Sequence, residues 1–260
     1  MTRHDRAPTP GTPCWFDLVA PDAAEAAAFY ARLFGWTYDV SGPEYGHYHM
    51  ALVDGRSAAG IGQRPDGATT PPAWTVYLAA GDAAAMADRV TELGGSVLDG
   101  PMEVPGMGHM AIAKDPGGAV FGLWQPLAHD GFGVTHEHGT MGWCEVNVPD
   151  GETARAFYQA LMGVEARRLE SDAVPTVYYV LWKDDEAVAG ILEMTAEWEG
   201  VPPHWMPYFE VEDCDAAART AEEAGGTVSV RPFDTEYGRI AVVTDPFGAV
   251  FSVNQTTASR

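Results

Sequence analysis

The first part of the chain changes from a strand-like to a helix-like spacing of apolar residues. Residues 14–19 alternate between two faces with a period of two, which predicts a β-strand. The next apolar residues recur at helical spacing, and we predict a helix with Asp22 as its N-cap and Gly35 as its stop. The buried face of this helix is expected to comprise Phe29, Tyr30, Leu33 and Phe34.

Turn residues and short apolar runs predict the rest of the first half. Asp54-Gly55 is typical of a two-residue hairpin turn, here between strands at 48–53 and 58–63. Asp82 is predicted to cap a second helix that ends near Leu93, just before Gly94-Gly95. The other predicted strands lie at 74–79, 97–98, 111–113 and 120–124.

The chain repeats itself at a nearly constant offset. Residues 29–36 recur as residues 157–164, an offset of 128, and residues 115–121 recur as residues 245–251, an offset of 130. Collinear matches of this kind indicate two homologous halves. Each half contains two β-α-β-β-β modules, and the four modules are predicted at 14–65, 73–126, 142–195 and 204–257.

One such module is too small to bury its own sheet. We therefore expect an α+β fold in which the four modules pair into two cup-shaped mixed β-sheets with the helices outside. The pattern leaves open whether the modules pair within the halves or across them. The predicted organisation is an N-terminal tail at 1–13, a first domain at 14–126, a linker at 127–140 and a second domain at 141–257.

The net charge limits the kinds of partner that the protein can bind, and the cysteine content indicates its compartment. The 15 Lys and Arg residues stand against 37 Asp and Glu residues, and the formal net charge of −22 disfavours nucleic acids and anionic membranes. No apolar run is long enough to span a bilayer, and none near the N-terminus is typical of a secretory signal. Cys14, Cys144 and Cys214 form no CxxC pair, which favours free thiols in a reducing cytoplasm. We expect a cytoplasmic monomer or homodimer whose partner is a small molecule.

Three motifs together resemble a known superfamily. They are the strand followed by Pro-Asp and Ala-x-x-Phe-Tyr-x-x-Leu-Phe-Gly-Trp, the Gly94-Gly95 pair, and the Asp-Pro-x-Gly-x-x-Phe turn that begins at Asp115. With these motifs the chain resembles the vicinal oxygen chelate superfamily over residues 14–257. That superfamily includes glyoxalase I, extradiol dioxygenases, fosfomycin-resistance enzymes and bleomycin-binding proteins. The tandem repeat resembles its two-lobed, glyoxalase-like members.

The resemblance implies a divalent metal ion, held by His, Gln or Glu side chains at inward-facing strand positions. The corresponding positions here carry Trp15, Gly62, Thr75 and Gly122 in the first half and Trp143, Leu192, Met206 and Ser252 in the second. None of these residues is a His, Gln or Glu. A shift by one residue adds only Gln63 or Glu193, one donor per half. We therefore expect no metal ion and no cofactor in either cup.

The strand period places further side chains on the inward face if Trp15 lies there. Asp17 and Glu145 occupy equivalent positions and are candidate catalytic bases, or acceptors for a polar group of a ligand. The alternative is that both face water. His49, with His47 two residues before it, is expected to contact ligand, solvent or a metal ion. The full set of candidate ligand-binding residues is Trp15, His49, Gly62, Thr75, Tyr77, Gly122, Trp124, Trp143, Leu192, Met206, Tyr208 and Ser252.

Three functional hypotheses follow. The first is metal-independent binding of an aromatic molecule or secondary metabolite, for sequestration or self-resistance, as in the bleomycin-resistance type of protein. The second is a glyoxalase-like lyase, isomerase or oxygenase that acts on a dicarbonyl or polyketide-like substrate. The third is an interaction protein in which one cup, or neither, keeps a cavity.

Overall fold

The computed structural model describes residues 2–170 and 176–257. Within them, no helix combines the length and the apolar character needed to cross a membrane. The elements of the first half are β1 (Thr2–Arg3), β2 (Pro13–Ala20), α1 (Ala23–Phe34), β3 (Thr37–Val40), β4 (His49–Val53), β5 (Arg56–Gln63), β6 (Ala73–Ala79), α2 (Ala83–Glu92), β7 (Ser96–Val104), β8 (Gly108–Lys114) and β9 (Val120–Pro126).

The second half repeats this order. Its elements are β10 (Val134–Thr135), β11 (Met141–Val148), α3 (Gly151–Met162), β12 (Glu165–Arg168), β13 (Tyr178–Lys183), β14 (Glu186–Glu193), β15 (His204–Glu210), α4 (Cys214–Glu223), β16 (Thr227–Thr235), β17 (Gly238–Thr244) and β18 (Val250–Thr256). The two predicted halves therefore have the same succession of strands and helices.

Each half forms one eight-stranded mixed sheet, and the modules pair within the halves. The first sheet has the order β3-β4-β5-β2-β6-β9-β8-β7, and the second has the matching order β12-β13-β14-β11-β15-β18-β17-β16. At the centre of each sheet the first strands of two modules pair antiparallel, β2 with β6 and β11 with β15. The last strand of each module lies parallel to its first strand, as β5 does to β2. The predicted α+β architecture, with four modules paired into two mixed sheets, is confirmed, and both sheets are open.

All four helices begin in the same way. Asp22, Asp82, Asp150 and Asp213 are the N-caps, and each side chain accepts a backbone N–H of the first turn. The first residue of each helix also donates its N–H to a side chain from the last strand of its own module. These acceptors are Gln63, Gln125, Glu193 and Gln255. The helices are thus attached to the sheet at their positive ends.

The helix-bearing faces of the two sheets meet in one aromatic core. Phe209 of β15 lies 5.6 Å from Phe16 of β2 and 5.2 Å from Trp74 of β6, measured between ring centroids. Tyr30 of α1 lies 5.5 Å from Phe251 of β18. Because these rings are buried by residues from both halves, neither lobe completes its core alone.

Several element bounds differ from the predictions. The edge strands β3 and β12 complete the predicted β-α-β-β-β modules, but their bounds were not predicted, since four largely exposed residues give too short a pattern. The strand predicted at 97–98 extends over Ser96–Val104. His47 precedes β4 with a left-handed backbone, φ 56°, so it does not share a strand with His49.

The segment predicted as a linker packs against the first lobe. Phe132 is buried with its ring 5.6 Å from Trp15 and 5.0 Å from Phe16. The short strand β10 pairs antiparallel with β1, so the N-terminal residues also join this segment. The boundaries at 1–13 and 127–140 remain predictions about domain organisation.

Candidate functional site

The register of the strands decides which side chains share a face. Asp17 lies opposite Gly60 on β5 and opposite Thr75 on β6, and Tyr77 lies beside Gly122 on β9. We call this face of the first sheet, opposite to its helices, the first cup. In the second sheet Glu145 lies opposite Gly190 and Met206, and Tyr208 lies beside Ser252. The corresponding face is the second cup.

A chain of hydrogen bonds crosses the first cup from a tryptophan to a carboxylate. Trp15 Nε1 donates to the Tyr48 hydroxyl at 2.9 Å, and that hydroxyl donates to Asp17 Oδ2 at 3.2 Å. Tyr48 lies across Gly60, where a Cβ atom would overlap the phenol oxygen. The absence of a side chain at Gly60 therefore allows Tyr48 to reach Asp17.

The second cup contains the same chain with one more donor. Trp143 Nε1 donates to Tyr178 at 3.0 Å, and Tyr178 donates to Glu145 Oε2 at 2.9 Å. Tyr208 donates to the other oxygen, Glu145 Oε1, at 2.8 Å. Within residues 2–170 and 176–257, Asp17 has no second tyrosine donor, and its side chain is one methylene shorter than that of Glu145.

Both carboxylates hold their protons more tightly than usual. Burial raises the pKa of Asp17 to about 6, although the bond from Tyr48 opposes the shift. Burial also raises the pKa of Glu145, against the bonds from Tyr208 and Tyr178. Burial raises the pKa values of Tyr48, Tyr178 and Tyr208 well above their ordinary range, so these phenols remain donors.

One end of the first cup is occupied by the segment that joins the halves. The His129 ring packs edge-on against Trp15, with centroids 4.5 Å apart, and lies 5.6 Å from Trp124. Trp124 Nε1 donates to the His129 carbonyl at 2.8 Å. Burial lowers the pKa of His129 to about 4, so the imidazole is neutral at physiological pH.

The structure brings most of the predicted site residues together and separates one. Trp15, Asp17, Gly62, Thr75, Tyr77, Gly122 and Trp124 share the first cup, and Trp143, Glu145, Leu192, Met206, Tyr208 and Ser252 share the second. His49 lies opposite Ile61, on the other face of the sheet, where its ring contacts Tyr38 at 5.9 Å. The structure therefore places His49 outside the first cup.

The whole-chain comparisons agree with this arrangement. The family model of the Glyoxalase/Bleomycin resistance protein/Dioxygenase superfamily matches residues 14–123 and 140–253. The chain belongs to this superfamily. The two matched segments correspond to the two sheets.

Two similar proteins and one solved structure illustrate the superfamily's range. "Anthracycline biosynthesis protein DauV" from Streptomyces sp. (strain C5) is 41% identical over 271 residues, covering 97% of this chain and 94% of that protein. "Putative glyoxylase CFP32" from Mycobacterium tuberculosis (strain CDC 1551 / Oshkosh) is 41% identical over 249 residues, covering 94% of both chains. The Mn(II)-bound glyoxalase from Novosphingobium aromaticivorans shares the fold, with a TM-score of 0.64 at 15% identity over 94% of this chain and 82% of that one.

The cups of this superfamily member do not fit the divalent ion that its fold implies. Each cup offers one carboxylate, Asp17 or Glu145, and tyrosine hydroxyls already donate to it. Gln63 and Glu193, the nearest further donors in sequence, accept backbone N–H groups at helix starts instead. Among the described residues, no three His, Cys, Asp or Glu side chains are grouped so that they could hold a metal ion.

The sequence reasoning missed Tyr48, Tyr178 and His129. Tyr48 and Tyr178 are related by the repeat offset of 130, so the internal comparison contained this signal. His129 carried no comparable signal, because it belongs to a segment without apolar periodicity. Its position against Trp15 results from how the segment folds back.

Proposed function

We propose that this protein binds an aromatic secondary metabolite in its cups without a metal ion. The observation that carries the proposal is the tryptophan–tyrosine–carboxylate chain in each cup, on the strands where superfamily enzymes hold their metal ligands. Aromatic side chains offer apolar surface to a planar ligand, and the carboxylate offers a hydrogen-bond acceptor. Sequestration of such a molecule, or its delivery to another enzyme, requires no further chemistry.

The named relatives indicate the chemical class of the ligand. Two Streptomyces proteins that are 41% identical over 97% of this chain are called anthracycline biosynthesis proteins. Anthracyclines have a planar polycyclic quinone core, which suits a cup lined by Trp, Tyr and small residues. We infer a polycyclic aromatic polyketide, or a quinone of similar shape, as the ligand.

The test is a titration of the metal-stripped protein. The protein is dialysed against a chelator, its metal content is measured, and 2,6-dihydroxyanthraquinone is added while tryptophan fluorescence is followed. We expect saturable quenching that is unchanged by added Zn²⁺, Ni²⁺ or Mn²⁺. Binding that appears only after a metal ion is added would contradict the proposal, as would the absence of binding under every condition.

A second candidate function is metal-free acid–base catalysis on a dicarbonyl or polyketide-like substrate. The specific observation is that Asp17 has a pKa of about 6, close to the value that suits a general base near neutral pH. In this case Asp17→Asn or Glu145→Gln would abolish turnover while ligand binding persists. Equal turnover in the wild type and both variants would exclude these carboxylates as the bases.

We further propose that the protein acts in a reducing compartment, the cytoplasm. Cys14, Cys144 and Cys214 are buried free thiols in the folded chain. Burial raises the pKa values of Cys14 and Cys144, which disfavours their reactive thiolate forms. Cell fractionation with an antibody against the native protein tests this location.

A further inference from the structure

The two cups differ in the polarity of their walls. Asn147, Ser252 and Asn254 are at least nine-tenths buried in the second sheet, with exposed fractions of 1%, 0% and 8%. They lie on the same face as Glu145, because Asn147 is two residues beyond it and the other two follow the register of Tyr208 and Glu210. The repeat offsets assign Val19, Gly122 and Trp124 to the same places in the first cup.

The orientation of the Asn147 amide follows from its neighbours. His204 Nδ1 lies 2.8 Å from the Pro202 carbonyl, which can only accept, so this nitrogen carries the proton. Burial lowers the pKa of His204, so the ring is neutral and its Nε2 is an acceptor. Asn147 Nδ2 donates to that Nε2 at 3.2 Å. Asn147 Oδ1 is left buried, with no hydrogen-bond partner among the described residues.

The Asn254 amide is oriented by a carboxylate in the same manner. Its Nδ2 donates to Glu210 Oε1 at 3.3 Å and to Thr256 Oγ1 at 3.0 Å. Asn254 Oδ1 faces away from these acceptors and has no partner within residues 2–170 and 176–257. Two amide oxygens of the second cup are therefore acceptors without a partner among the described residues.

Unpaired buried acceptors are uncommon, because each one has lost its bond to water without replacing it. Groups of this kind in a concave site are restored by a molecule that brings hydrogen-bond donors. At the corresponding end the first cup carries Trp124 and His129 instead of Asn254. Among the described residues, the buried atom without a partner at that end is His129 Nε2, whereas the unpaired amide oxygens lie in the second cup.

We propose that the second cup is the polar recognition site, and that it takes an elongated aromatic ligand bearing hydroxyl or amino groups. The amide oxygens of Asn147 and Asn254 accept those donors, and Glu145 with Tyr178 and Tyr208 lies between them. Asn147 lies opposite His204 and Asn254 beside Glu210, six residues further along β15, so the two amides lie towards opposite ends of the second cup. This assignment rests on the proposed function, because it names the lobe and the polar groups for the same ligand class.

The experiment compares two probes on the full chain. 2,6-Dihydroxyanthraquinone carries two hydrogen-bond donors, and 2,6-dimethoxyanthraquinone has the same ring system without them. Both are titrated into the wild type and into Asn147→Val, which installs the residue of the first cup. We expect Asn147→Val to bind the dihydroxy probe roughly five- to tenfold more weakly and the dimethoxy probe unchanged.

Two further variants keep the test decisive. Asn254→Leu removes the second acceptor. It replaces Asn147→Val in the titration if the circular dichroism spectrum of Asn147→Val is not native. Val19→Asn places an amide at the exposed, equivalent position of the first cup and tests whether the polar end of the ligand lies there. A gain for the dihydroxy probe in Val19→Asn would move the ligand to the first cup and overturn the assignment.

The remaining outcomes separate the two proposals. If Asn147→Val and Asn254→Leu bind both probes as the wild type does, or lose both probes equally, the polar site is refuted while metal-independent binding stands. If neither probe binds the wild type, the proposed function and the polar site are refuted together. A complex whose crystal structure shows only water at Asn147 Oδ1 and Asn254 Oδ1 also refutes the polar site.

Discussion

Tyr30 of the first lobe donates a hydrogen bond to Asp245 of the second, with an oxygen–oxygen distance of 3.0 Å, and both residues are buried. The repeat reproduces this contact in reverse, since Tyr158 of the second lobe donates to Asp115 of the first at 2.9 Å. A tryptophan from the same lobe as each tyrosine, Trp74 or Trp205, donates to its hydroxyl. The two lobes are therefore joined by a symmetric pair of buried polar contacts.

We predict that Tyr30→Phe destabilises the whole chain. The substitution keeps the ring packing but leaves Trp74 Nε1 and one oxygen of Asp245 without this partner in a buried site. Loss of such bonds typically costs about 1–3 kcal/mol, which urea denaturation measures. Tyr158→Phe should behave alike, because it removes the equivalent bonds.

The same variant can be used to check whether the two lobes unfold as a single unit. If the lobes unfold together, tryptophan fluorescence and far-ultraviolet circular dichroism will report one transition in both proteins. An unchanged free energy of unfolding in Tyr30→Phe would show that the contact between the lobes contributes nothing to stability.

The raised pKa of Asp17 predicts a specific pH dependence. A carboxyl that titrates at about 6 when folded, against 3.8 normally, binds more protons in the folded state than in the unfolded state between these values. Stability that is present below pH 4 is therefore lost as the pH rises to about 6. The difference in unfolding free energy between the wild type and Asp17→Asn should shift by about 3 kcal/mol across that window, since each pKa unit corresponds to about 1.4 kcal/mol.

Tyr48→Phe is the companion variant for this measurement. The Tyr48 hydroxyl stabilises the ionised carboxylate, so its removal should move the window of the Asp17 effect to higher pH. A stability difference between the wild type and Asp17→Asn that stays constant from pH 4 to pH 8 would contradict the assignment of the raised pKa.

Gly60 and Gly62 form a matched pair for testing the hydrogen-bonded chain of the first cup. A Cβ at Gly60 would overlap the Tyr48 hydroxyl, whereas a Cβ at Gly62 would lie 3.6 Å from the Tyr48 ring, an ordinary contact. Gly60→Ala should therefore displace Tyr48 from Asp17 and destabilise the protein by about 1–3 kcal/mol. Gly62→Ala should be nearly neutral, and equal effects of the two substitutions in thermal denaturation would count against the role of Gly60.

For each strand taken singly, the sequence predicted which side chains face the cup. A period of two puts Trp15 and Asp17 on one face and Phe16 on the other, and the register agrees. Tyr48 was harder to find, because it precedes β4 and reaches Asp17 from a different strand across a glycine. His49, by contrast, was predicted to bind ligand, whereas its pairing with Ile61 places it on the opposite face of the sheet.

The sequence by itself determined that the chain consists of two homologous halves and that four modules with capped helices build mixed sheets. It also determined that the positions at which the resemblance implies metal ligands carry other residues. These properties are local or repeated, so periodicity and internal comparison reveal them. Only the tertiary structure decided that modules pair within halves and that His129 occupies one end of the first cup. It also decided that the amide oxygens of Asn147 and Asn254, in the second cup, have no partner among the described residues. Such features depend on contacts between residues far apart along the chain, and spacing within a segment carries no information about which partner a side chain meets.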